Sequence, residues 1–282
     1  MKLLLTSDLH YYTGNEAVMD GLAQKVCASD ADVFIIGGDA TSGGSYVMLA
    51  RLLEKFSGFR GQKLFVAGNH DLWNPHDTGV EKYFELQNFV EQYDFHSLDK
   101  NPFVKDGVGF VGSIGWYDYS FKMRSGEIPE QFIMDARTFT RWEDVDDKAY
   151  ATKMAEATSD KWDFAWNDVN YARIPSDKDF LEQRLNALQR QLEEVSPKVD
   201  QIVAMTHHLP FENIVPRDQG NTAFTLGNAY QGSARIGALL QQYGKVGYAF
   251  CGHSHVSGQW RNGTITCYNI SRESPVLFSL EM

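Results

Sequence analysis

Five short apolar runs punctuate the chain, and each ends in polar residues. The first is Lys2–Thr6, leading into Ser7-Asp8-Leu9-His10. Val33–Ile36 ends at Gly37-Gly38-Asp39, and Leu64–Ala67 ends at Gly68-Asn69-His70-Asp71. Ile202–Met205 ends at Thr206-His207-His208, and Val246–Cys251 ends at Gly252-His253-Ser254-His255. Continuous apolar runs of this length predict strands buried on both faces.

Between the runs the apolar period changes to that of a helix. Residues 16–29 place Val18, Leu22 and Val26 on one stripe, and residues 45–56 place Leu49, Leu52, Leu53 and Phe56. Ser176, with Asp179 three residues on, predicts an N-cap. The helix that follows has the apolar face Leu181, Leu185, Leu188, Leu192 and Val195, and Pro197 stops it. Asp106-Gly107 and Asn262-Gly263 each separate two strand-like segments and suit type I′ hairpins. Strands alternating with helices, plus hairpins, predict an α/β sandwich built on mixed sheets.

Residues from about 116 to 175 break the pattern. Four of the six tryptophans lie there (Trp116, Trp142, Trp162 and Trp166), acidic residues are dense and strand signals are absent. The segment reads as a helical, cap-like insertion in a single domain spanning 1–282. Trp116, Tyr117, Asp118 and Tyr119 are candidates for lining a pocket, and Arg137 and Arg141 for meeting an anionic substrate.

The composition is that of a globular protein, with 43% hydrophobic and 22% charged residues. A net charge of −11 argues against long polyanions as partners, so nucleic acid is not the expected ligand. Cys27, Cys251 and Cys267 include no CxxC pair and read as buried, reduced thiols. The short first run leads straight into Asp8, so it reads as a strand and not a leader. No run is long enough for a membrane span, and the expected location is cytoplasmic.

The polar residues at the run ends are Asp8, His10, Asp39, Asn69, His70, His207, His208, His253 and His255. They hold six of the eight histidines, leaving out His76 and His96. In open α/β sheets ligands bind at the edge where strands end. Imidazole nitrogens with carboxylate and amide oxygens suit divalent ions of intermediate hardness: manganese, iron, cobalt, nickel or zinc. No thiolate belongs to the set, which argues against a structural zinc site. Asp8 and His10 are two residues apart, as are His253 and His255, so on a regular strand each pair would share a face. Asp39 is the lone carboxylate of its cluster and suits a bridging role.

In order, these segments read DxH, GD, GNHD, a single H and GHxH, and the series resembles the calcineurin-like metallophosphoesterase superfamily. The resemblance covers every metal-site motif but not residues 116–175. It implies a four-layer α/β/β/α sandwich and a dinuclear centre. Asp8, His10 and His255 would hold one metal, and Asn69, His207 and His253 the other, with Asp39 bridging. His70 would be catalytic near the scissile phosphate, with Asp71 behind it orienting the ring. His207 is the ligand of its doublet, and His208 is left a substrate-side or structural role. The implied cofactors are two divalent ions, manganese or iron first, with zinc, cobalt and nickel also fitting. The implied reaction is hydrolysis of a small phosphodiester or phosphomonoester by a metal-bridging hydroxide attacking in line. The alternatives are a non-catalytic scaffold that keeps the fold and a nuclease of the same superfamily.

Overall fold

The computed structural model describes residues 1–73, 78–122, 168–217 and 227–282. Strands β1 (Lys2–Thr6), β2 (Val33–Gly37), β3 (Gln62–Val66) and β4 (Phe95–Ser97) run parallel. The chain's last strand, β11 (Phe278–Glu281), joins β1 antiparallel, giving the order β11-β1-β2-β3-β4. In the second sheet β6 (Val108–Ser113), β7 (Gln201–Thr206), β8 (Val246–Cys251) and β10 (Ile265–Asn269) are parallel. There β5 (Phe103–Lys105) and β9 (Gly258–Asn262) flank the sheet antiparallel. Both sheets are therefore mixed.

Alternation along the strands explains why the runs are apolar throughout. Leu3, Leu5, Val33, Ile35, Leu64 and Val66 point from the first sheet into an interlayer core with Val108, Phe110, Val203, Met205 and Phe250. The residues between them, such as Leu4, Phe34, Ile36 and Phe65, belong to the core under the helices. Truncating one interlayer residue, for instance Ile35→Ala, costs about 2–5 kcal/mol through lost burial and the cavity left behind.

Helices α1 (Glu16–Cys27), α2 (Tyr46–Lys55) and α3 (Gly79–Glu91) accompany the first sheet. The short α4 (Asp168–Tyr171) precedes α5 (Asp177–Val195), which packs on β6 and on α6 (Ala234–Gln241). The outcome is the α/β/β/α sandwich. Ser176 caps α5 by accepting from the Asp179 N–H at 3.2 Å, and all five expected face residues are buried.

Two local expectations are corrected. The buried face of α1 is Met19, Leu22, Ala23 and Val26, while Val18 is exposed, because the sandwich meets the i, i+3, i+4, i+7 stripe. The β5–β6 turn has Asp106 at φ 47° and Gly107 at φ 77°, as a type I′ turn requires. The β9–β10 turn does not follow suit. Asn262 stays in its strand opposite Ile265, so the loop is Gly263-Thr264, with Gly263 at φ 55°.

Of the expected insertion, residues 116–122 and 168–175 are described. Trp142, Trp162, Trp166, Arg137, Arg141 and His76 lie outside the described residues. Trp116, Tyr117 and Tyr119 are packed inside, with the Trp116 indole donating to Asp177 at 2.7 Å. All three cysteines are free. No helix among the described residues is long and apolar enough to cross a membrane.

Candidate metal centre

The loops that follow β1, β2, β3, β7 and β8 converge at one edge of the two sheets. The first two are zipped together: Asp8 N–H donates to the Gly38 carbonyl at 3.0 Å and His10 N–H to that of Asp39 at 2.9 Å. Neither the Asp8–His10 pair nor the His253–His255 pair sits on a strand, since β1 ends at Thr6 and β8 at Cys251. The strand-pleat reading of these pairs is thus corrected. Asp8, His10, Asp39, His253 and His255 instead have left-handed backbone, with φ between 42° and 70°. That conformation is sparsely populated for residues with a side chain and gathers at functional sites.

The convergence has a defined geometry. His10 Nε2 and His255 Nε2 are 3.0 Å apart, and His255 Nε2 is 3.5 Å from Asp8 Oδ1. Asp39 Oδ2 lies 3.6 Å from His10 Nε2 and 4.0 Å from His70 Nε2. Its other oxygen, Oδ1, lies 3.3 Å from His207 Nε2. Asn69 Oδ1 meets His207 Nε2 at 3.0 Å and His253 Nδ1 at 2.9 Å. Among the described residues three overlapping groups place ligand atoms within 4.8 Å of one another: Asp8-His10-His255, His10-Asp39-His70 and Asp39-His207-His253.

The atoms behind the donors fix their direction. His207 Nδ1 is bonded to the Gly37 carbonyl at 3.0 Å and His253 Nε2 to the Tyr230 carbonyl at 3.1 Å, which leaves the opposite nitrogen of each ring facing inward. Ser7 Oγ donates to Asp8 Oδ2 at 2.6 Å, and the His253 N–H reaches both Asp8 oxygens. Two glycines are required by close approach. A Cβ on Gly68 would lie 2.1 Å from the Asp39 nitrogen, and one on Gly252 would lie 2.5 Å from Asp8 Oδ2.

His70 lies at the rim of this group. Its N–H donates to Asp39 Oδ1 at 2.9 Å, its Nδ1 pairs with the Ser42 carbonyl at 3.0 Å, and its ring stacks on Trp73 at 3.6 Å. Asp71 does not lie behind this ring, which corrects its expected role. Its carboxylate accepts from the N–H groups of Ala40, Thr41 and Gly68 and ties the loop after β2 to the loop after β3. Of the histidine doublet, His207 faces Asp39 and Asn69. His208 turns to the Ile114 carbonyl at 2.9 Å, against Trp116 and Tyr117.

Electrostatics follow from burial and from Asp39. Burial alone would lower the His207 imidazolium, but the Asp39 charge outweighs it and pushes the group up to about 10. Burial likewise opposes charge on Asp39, yet His207 and His70 hold its carboxyl well below the ordinary range. Burial, then the neighbouring Asp39 charge, push Asp71 up to about 6. Burial and the adjacent His207 push His208 down to about 3, so it is a neutral ring. Imidazole, carboxylate and amide donors, aimed inward from a buried frame, suit hard-to-intermediate divalent ions.

A model of the calcineurin-like phosphoesterase family matches residues 1–257. The chain belongs to this family. Solved structures share the phosphoesterase fold. A phosphopantetheinyl hydrolase from Mycobacterium tuberculosis is similar with TM-score 0.70 and 18% identity, over 97% of this chain and 89% of that one. A dimetal phosphatase from Danio rerio is similar with TM-score 0.55 and 13% identity, over 96% and 87%. At these identities the likeness is one of fold. Comparison with curated protein sequences finds no match. Calcineurin-like phosphoesterases typically carry a dinuclear metal centre, and the Asp and His groups of this chain are able to hold metal ions.

Several residues of the centre's surroundings carry no sequence motif. Ser7 acts through its hydroxyl, Ser42 and Tyr230 through a carbonyl, Trp73 through its indole and Asp168 through its carboxylate. Ser7 adjoins Asp8, and Ser42 and Trp73 lie three residues past Asp39 and His70, whereas Tyr230 and Asp168 lie far from any motif.

Proposed function

We propose that this phosphoesterase hydrolyses phosphate esters of small organic molecules with two divalent ions. Asp8, His10 and His255 would hold one, Asn69, His207 and His253 the other, and Asp39 would be shared by both. The observation that carries this reading is the split of Asp39, whose two oxygens face different histidines, Oδ1 toward His207 and Oδ2 toward His10. Two ions so held supply an acidified water and a positive clamp for the phosphoryl oxygens. The protein supplies the rest. Left-handed loops pre-set the donors, carbonyls of Gly37 and Tyr230 hold two imidazoles in one tautomer, and His70 Nε2 reaches toward the departing ester oxygen to give it a proton. We read residues 1–282 as one catalytic domain, since β11 returns to pair with β1.

A non-catalytic scaffold is the second reading. It is disfavoured because every donor position of the motif series is filled and turned inward. The test is a substrate panel on protein reconstituted separately with manganese, iron, zinc, cobalt and nickel. The panel holds bis-p-nitrophenyl phosphate, p-nitrophenyl phosphate, alkyl diesters and a phosphopantetheinyl ester. Turnover of at least one ester supports hydrolysis. Metal-loaded protein that turns over none of them establishes the scaffold.

A further inference from the structure

The Asn69 amide is held at both ends. Its Oδ1 faces His207 and His253 at 3.0 and 2.9 Å, and its Nδ2 donates to Asp168 Oδ1 at 2.9 Å. The same Asp168 oxygen accepts from Trp73 Nε1 at 2.7 Å. Trp73 in turn lies between the rings of His70 and Tyr171, stacked at 3.6 and 5.2 Å. Asp168 is only 2% exposed and stands at the start of α4, 99 residues from Asn69 in the chain.

An amide has two ends of nearly equal shape and opposite polarity. With its NH2 turned inward, Asn69 would present hydrogens to a cation and no lone pair. A carboxylate oxygen behind the amide accepts a hydrogen bond from NH2 and repels a carbonyl oxygen, so it selects one of the two flips. Groups that orient a metal ligand in this way change metal affinity by about 10–100-fold when removed.

We infer that Asp168 is a positioning residue that fixes the Asn69 oxygen toward the metal centre and, through Trp73, sets the surface on which His70 stacks. The inference rests on reading Asn69 as a ligand of the second ion. It ties the centre to the chain just beyond residues 123–167, a link that none of the motifs contains.

The test is a manganese titration of the chelator-stripped full chain, with free Mn(II) read by electron paramagnetic resonance. Variants are Asp168→Ala, Asp168→Asn, Asp168→Glu, Asn69→Ala and the Asn69→Ala/Asp168→Ala pair, each checked by the melting temperature of the stripped protein. Asp168→Ala is expected to weaken the second manganese by about 10–100-fold and to leave the first unchanged. Asn69→Ala weakens the same ion, and the pair is no worse than Asn69→Ala alone. Asp168→Asn, whose amide oxygen can accept both bonds, binds within about threefold of the parent, whereas Asp168→Glu, which displaces the acceptor, falls about 3–10-fold short. Parent affinity in Asp168→Ala, equal losses at both ions, or an additive pair overturns the inference. Should Asp168→Ala fail to fold, equal binding by Asp168→Glu and Asp168→Asn overturns it. Parent affinity for both ions in Asn69→Ala overturns the ligand reading instead.

Discussion

His10 Nε2 and His255 Nε2 lie 3.0 Å apart, although 245 residues separate them in the chain. Two neutral imidazole nitrogens that meet lone pair to lone pair repel, so the approach is favourable only with a proton or a cation between them. On the proposed ligand set, both rings would serve one ion. His10→Ala and His255→Ala are each expected to lose one metal per chain, and the double variant no more than that one. Elemental analysis after desalting measures it. A double variant that loses two ions sinks the shared-ion assignment.

Asp39 should behave differently, because each of its oxygens faces a different group of donors. Asp39→Ala is expected to lower the occupancy of both ions and to reduce kcat by about 10³-fold. Two metals retained at full occupancy would remove Asp39 from its shared position.

His70 reaches the centre from the rim and is oriented by Ser42 and Trp73. His70→Ala is expected to keep both metals and to lose about 10²–10⁴-fold in rate. The loss should be larger for an alkyl ester than for a p-nitrophenyl ester, whose leaving group departs without a proton. Equal losses across leaving groups would contradict the proton-donor role, and loss of an ion would move His70 into the coordination shell.

Asp71 is the residue whose role the structure moved. Its carboxylate satisfies three backbone N–H groups in two loops. Asp71→Ala is expected to destabilise the chain by about 3 kcal/mol or more, since a buried donor left unpaired costs about 1–3 kcal/mol. Denaturant unfolding of the stripped protein gives the value. A variant with parent stability and a selective loss of rate would restore the orienting role.

Legibility in the sequence followed burial. β1, β2, β3, β7 and β8 are covered on both faces and so appear as apolar runs. β4 and β11 are three and four residues long, too short to stand out, although Phe278-Ser279-Leu280-Glu281 alternates apolar and polar. α3 is announced by a capping box, Thr78 with Glu81, and not by a clear stripe. Asp8, His10, Asp39, Asn69, His207, His253 and His255 were legible as candidates because imidazole, carboxylate and amide side chains recur directly after strands. Asp168 was not, because one more aspartate in an acidic stretch has no pattern, and its partner is distant in the chain.

The bonds from His207 to the Gly37 carbonyl and from the His253 N–H to Asp8 cross from one sheet to the other. Ions held on both sides would act as rivets through two plates. The spacing of the plates is set below them by side chains such as Met205, whose terminal methyl lies directly against Gly37. Side-chain volume in that interlayer would then gauge the reaction centre from beneath. Methylene-scale changes there would retune it without touching a ligand, a handle that natural drift and engineering share.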